Sequence, residues 1–180
     1  MRFILLDTNV VSYLFKGDTR ASQYAPLIQG YRLAISFVTV AELFEWAITR
    51  NWGERRFQQL EQTLKTYAVI PIDIELCRTW GTIRAQQHAV GRAIAPQDAW
   101  IAATSLRHQL PLVTHNPSDF QSIKGLEIRT LLTLGARGDE GLTTNYPRLT
   151  PMQHVRAHRM RPKLLLFQTM IGEKLVPEMP

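Results

Sequence analysis

Four acids stand where a carboxylate has chemistry to do: Asp7, Glu42, Asp98 and Asp119. Asp7 closes the apolar run Phe3-Ile4-Leu5-Leu6 and is followed by Thr8 and Asn9. Glu42 falls at the head of a long helical stretch, and Asp98 falls just after Pro96. Asp119 ends the segment Thr114-His115-Asn116-Pro117-Ser118-Asp119, which follows the apolar pair Leu112-Val113. Brought to one place, such acids repel one another, and burying each costs roughly several kcal/mol unless positive charge offsets it. A hard divalent cation supplies that charge and takes oxygen ligands from carboxylates, amides and water. One or two Mg2+ or Mn2+ ions held this way lower the pKa of a bound water and neutralise charge on a phosphodiester.

That chemistry needs elements that deliver all four acids to one edge. Phe3–Leu6 reads as a buried strand of a parallel sheet, and ligands of open α/β sheets sit just outside the carboxyl ends of the strands. Apolar positions 10, 11, 14 and 15 predict a helix from Thr8 to Phe15, closed by Lys16-Gly17-Asp18. A second helix is expected over 21–28 and a strand over Leu33–Ile35. A long helix opens at Thr39 and runs to about Arg50, breaks at Gly53 and resumes over Glu54–Lys65. Ala68–Ile70 is the third strand. Asp73 caps a helix with Leu76, Trp80 and Ile83 on one face, ending near Gly91. Pro96 opens another, to about His108, with Trp100, Ile101, Ala103 and Thr104 available to pack on the sheet. Leu112-Val113 and Leu126–Arg129 are the fourth and fifth strands. This alternation predicts an α/β fold with a mostly parallel sheet of four to five strands and helices on both faces. In a parallel sheet, the helices that follow the strands start on one shared edge.

Each acid, taken singly, also has a local explanation. Thr39 and Glu42 have the spacing of a capping box. Asp98 favours the dipole of the helix opened by Pro96, Asn116-Pro117-Ser118-Asp119 repeats that grammar, and Asp7 can cap the first helix. What singles the four out is their number and their common placement. Other chemistries lack their signatures. Zinc-spaced Cys and His pairs, a Walker A loop, a GxGxxG turn and a GxSxG elbow are all missing. An aspartyl nucleophile at Asp7 would want a second acid two residues on, and Asn9 stands there. His115 reads as incidental, and the single cysteine, Cys77, reads as a small core residue.

The chain of 180 residues carries a net charge of +6 and a pI of about 9.8, which favours a polyanionic partner, nucleic acid first. No apolar run of membrane-spanning length is present and no secretory leader is evident, so a reducing cytoplasm is the expected setting. Composition changes near Leu134. Residues 134–180 hold five prolines and seven basic against four acidic residues, half of the net charge. Two domains are therefore expected, 1–133 and a basic C-terminal extension, 134–180. The extension reads either as a poorly ordered tail or as a basic arm that adds affinity for nucleic acid.

The acids and their contexts resemble a known family. Leu6-Asp7-Thr8-Asn9, Ser36 through Glu42-Leu43, Gly91 through Asp98-Ala99-Trp100-Ile101-Ala102, and Thr114-His115-Asn116 with Asp119-Phe120 resemble the PIN-domain pattern over about Met1–Leu131. Within it the likeness is greatest to VapC-type toxins of bacterial toxin–antitoxin pairs. The resemblance implies a three-layer α/β/α fold and a metal-dependent endoribonuclease. It implies a homodimer held inactive by a cognate antitoxin. It assigns Asp7 and Asp98 as ligands of Mg2+ or Mn2+. Glu42 completes the site in part through water, and Asp119 serves a second, weaker ion. Thr8 and Asn116 match supporting polar positions, while the extension departs from typical members. Arg84 and Arg92 flank the approach to Asp98 and are candidates to hold RNA phosphates, or else belong to a solvated helix face. Phe44, Trp46 and Trp52 fall where the family forms partner surfaces, or pack in the core. The competing reading is a PIN-like module that binds RNA or a partner without turnover.

Overall fold

A computed structural model of the chain describes residues 2–131. The 134–180 extension lies outside the described residues. Five strands form one sheet: β1 (Phe3–Leu6), β2 (Arg32–Ser36), β3 (Ala68–Ile70), β4 (Leu112–Val113) and β5 (Ile128–Arg129). Their order is β3-β2-β1-β4-β5, and every pairing is parallel. The chain builds outward from the centre to β3, then returns to the other side of β1 for β4 and β5. The crevice between β1 and β4, where the direction of build-out reverses, is the place such sheets bind ligands.

Alternate residues of the central strands feed two cores. Leu5, Ala34 and Leu112 face one, while Ile4, Leu6, Ile35 and Val113 face the other. The second face is covered by α1 (Thr8–Lys16), α2 (Thr19–Ile28), α3 (Phe37–Thr49) and α4 (Glu54–Leu64). The first is covered by α5 (Ile74–Ala89) and α6 (Pro96–His108), with Val38 of α3. The result is a three-layer α/β/α arrangement. Leu76 and Ile83 are buried and Trp80 packs against them; Ile101, Ala103 and Thr104 of α6 are buried as well. Among the described residues, no helix is long and apolar enough to cross a membrane.

Four local expectations are corrected. The third helix begins at Phe37, not after Thr39, because the Ser36 hydroxyl accepts from the Thr39 N–H and caps it. Thr39 and Glu42 are therefore no capping box, and Glu42 lies past the first turn. The second helix starts at Thr19, capped by Asp18. The fifth strand is two residues long: Ile128 and Arg129 pair in register with β4, and just before them the Glu127 carbonyl accepts from the Leu112 N–H. Cys77 is exposed on α5, its neighbour Leu76 taking the core position.

Candidate active site

Asp7 is the residue after β1, and its N–H continues the ladder to the Val113 carbonyl at 2.9 Å. Its side chain is 4% exposed. The backbone turns there into α1, and the carboxylate lies near the Thr8 and Asn9 amides without closing a well-formed capping hydrogen bond. It accepts instead from the Thr114 hydroxyl, at 2.8 Å. Thr114 in turn accepts from the Asn116 N–H at 3.0 Å, which leaves its proton for Asp7. Burial pushes the Asp7 carboxyl up to about 6; the Thr114 hydroxyl and the Thr8 and Asn9 amides oppose this, and the charge of Asp119 adds to it.

Glu42 reaches the same edge from α3. Its Oε2 lies 2.5 Å from the Thr8 hydroxyl, which is 3.2 Å from the Thr39 hydroxyl, itself 3.0 Å from that of Ser36. A chain of three hydroxyls thus runs from the end of β2 to the Glu42 carboxyl. Burial raises Glu42 to about 7, against the Thr8 hydrogen bond and with help from Asp7 and Glu45.

Asp98 sits in the first turn of α6. Burial and, after it, the charges of Asp7, Asp119 and Glu42 together raise it to about 7. Asp98 therefore feels the other three acids. Asp119 ends a single 3-10 turn, Pro117–Asp119, and is exposed. The structure brings Asp7, Glu42 and Asp119 within electrostatic reach of Asp98, each acid on a separate element.

None of the four is in an ion pair with another described residue. Among the described residues, no three Asp, Glu, His or Cys side chains are gathered closely enough to hold a metal ion as they stand. The fit to a hard cation is one of donor chemistry: oxygen ligands only, like charges held together, and two of the acids already oriented by hydroxyls.

The remaining candidates divide. Thr8 holds Glu42, as a supporting residue would. Asn116 contributes through its backbone, and its side chain is exposed. Arg92 is exposed, whereas Arg84 is half-buried and donates to the Ile94 carbonyl at 2.6 Å. Phe44, Trp46 and Trp52 are partly buried against the second core. Sequence reading passed over Thr114, although it follows β4 just as Asp7 follows β1. It also passed over His115, whose Nδ1 lies 2.7 Å from the hydroxyl of the fully buried Tyr24. Burial pushes Tyr24 up to about 12, so it donates and the imidazole accepts. Burial and the Arg20 charge keep His115 below its usual range.

Comparison with known proteins places this geometry. A family model of the PIN domain matches residues 4–126. The chain belongs to the PIN-domain family. It is 35% identical over 135 residues to the VapC ribonuclease Y4jK of Sinorhizobium fredii, covering 69% of this chain and 94% of that protein. It is 31% identical over 125 residues to ribonuclease VapC1 of Haemophilus influenzae, covering 68% and 93%. Among solved structures it resembles VapBC-1 of nontypeable Haemophilus influenzae at a TM-score of 0.63 and 30% identity, covering 71% of this chain and 97% of that one. The PIN match ends before the extension begins.

Proposed function

We propose that the chain is a Mg2+- or Mn2+-dependent endoribonuclease that hydrolyses RNA phosphodiester bonds and acts as the cytoplasmic toxin of a toxin–antitoxin pair. The observation that carries this reading is Asp98, a half-buried acid whose proton affinity is raised by desolvation and by the charges of Asp7, Asp119 and Glu42 together. Relatives named VapC ribonucleases, and a fold shared with a VapBC toxin–antitoxin complex, support the nuclease and its antitoxin partner.

Asp7 and Asp98 are the ligands proposed for the principal ion, with Glu42 and Asp119 acting through water or on a second ion. The bound ion would supply Lewis acidity and an activated water at the scissile phosphate. The chain's own part is to hold carboxylates in place. Thr114 fixes one Asp7 oxygen, Thr8 fixes one Glu42 oxygen, and the β1–β2 pairing sets the distance between the elements that carry the two acids. Outside the site, a net charge of +6 draws an RNA backbone without reading its sequence. Arg92 is an exposed candidate for such a contact. A homodimer belongs to the same proposal.

Total cellular RNA incubated with wild-type protein should give discrete products that require Mn2+ and disappear with Asp98→Asn. RNA that is bound but never cut, by a folded protein in Mn2+, would favour the silent binding module instead.

A further inference from the structure

α5 and α6 form an antiparallel pair. At one end Arg107 of α6 meets Asp73, the cap of α5, at 3.6 Å. Towards the other, Trp80 stacks on Trp100 with ring centroids 4.9 Å apart. The chain reverses between them at Gly91, whose φ of +69° suits glycine. It then runs through Ile94 to the N-cap of α6, Ala95. Alanine has no side-chain acceptor, so the start of α6 lacks the side-chain cap that Ser36, Asp18 and Asp73 give to α3, α2 and α5.

Two side chains of α5 hold that start from outside. Arg84 donates to the Ile94 carbonyl at 2.6 Å, and the Trp80 indole N–H donates to the Pro96 carbonyl at 3.3 Å. Spaced four residues apart, they lie on one helix face. The carbonyls they hold bracket Ala95, and Asp98 follows Pro96 by two residues. The same face continues as a stack: Arg84 lies 5.6 Å from the Trp80 ring centre, and Trp100 meets Phe37, the first residue of α3, edge-on at 5.4 Å. The turn that carries Asp98 is thereby tied to the helix that carries Glu42.

We propose that Arg84 and Trp80 are positioning residues for Asp98, acting through the backbone that starts α6, and that Arg84 is not a phosphate ligand. The proposal rests on the metal-nuclease reading of the site. Groups that orient a metal ligand cost about 10–100-fold in affinity or activity when removed.

The test uses the full chain as wild type, Arg84→Met, Arg84→Lys, Trp80→Phe and Asp98→Asn. It measures Mn2+ affinity well below the melting temperature, kcat and KM on RNA, and the salt dependence of RNA binding. Arg84→Met and Trp80→Phe should each weaken Mn2+ binding and lower kcat by about tenfold, with KM and the salt slope unchanged. Arg84→Lys, which keeps one donor, should recover part of the loss. Trp80→Phe keeps the ring and so guards against a folding failure in Arg84→Met. A higher KM at unchanged kcat in Arg84→Met, with a salt slope lower by about one, would make Arg84 a phosphate contact and overturn the proposal. Mn2+ binding lost in Asp98→Asn but kept in both α5 variants would remove the proposal alone. Equal Mn2+ binding by wild type and Asp98→Asn would remove the metal reading and the proposal with it.

Discussion

The Thr114 hydroxyl donates to the Asp7 carboxylate at 2.8 Å across 107 residues of sequence, at the join between the first and fourth strands. This bond orients Asp7 and also favours its ionised form. Thr114→Val keeps the shape and removes the donor. Asp7 should then hold its proton to higher pH, and Mn2+ affinity at neutral pH should fall about tenfold. Thr114→Ser should restore it. Titration of Mn2+ into both variants decides the matter, and wild-type affinity in Thr114→Val would remove the assigned role.

Without metal, stability should fall as pH rises. Asp7, at about 6, and Glu42 and Asp98, at about 7, bind protons more tightly folded than unfolded. Their neutral forms are therefore favourable below about pH 4, and the advantage is lost as pH climbs to about 7. Asp7 alone accounts for roughly 3 kcal/mol. In EDTA, the contribution of these three acids should lower the melting temperature between pH 5 and pH 8. Asp98→Asn, which cannot ionise, should melt higher than wild type at pH 8. Equal melting of the two proteins at pH 8 would show that Asp98 carries no such penalty.

Metal should reverse this trend. Carboxylates that carry protons near neutrality must release them to act as ligands. Calorimetric titration of Mn2+ at pH 6.5, in buffers of different ionisation enthalpy, should show net proton release. Added Mn2+ should raise the melting temperature more at pH 8 than at pH 5. Binding without proton exchange would mean that the ion sits away from these three acids.

The Tyr24–His115 bond should be worth stability. Tyr24→Phe deletes one buried hydroxyl and leaves the imidazole without its donor, a loss of about 1–2 kcal/mol. Urea unfolding measures it, and an unchanged midpoint would show that the imidazole finds another partner.

Much of this was legible in the chain. Apolar runs ending at Leu6, Ile35 and Val113 mark the central strands because a parallel sheet buries both faces, so no polar residue interrupts them. Asp7, Asp98 and Asp119 stood out because each follows such a run or opens the next helix, and Glu42 because it lies near the head of one. Less legible was the local grammar. Ser36 and Thr39 both satisfy the rules for a helix cap, and the pairing of Ser36 with Ile70 on β3, which keeps it extended up to the helix, decides between them. Cys77 and Leu76 are neighbours, and the pitch of α5 chooses which is buried. Thr114 was invisible as a site residue because its partner lies on another strand, a pairing that local pattern cannot supply. Arg84 looked like a free cation for the same reason: its acceptor is a backbone carbonyl, which every residue has.

The β1–β4 join also sets a timetable. A ribosome makes Asp7 before Thr114, which secures it and comes more than a hundred residues later. Until the fourth strand has emerged and slid in beside the first, a nascent chain holds scattered acids rather than a site. For the proposed activity that delay is protective, since the message being translated and the ribosome translating it are themselves RNA.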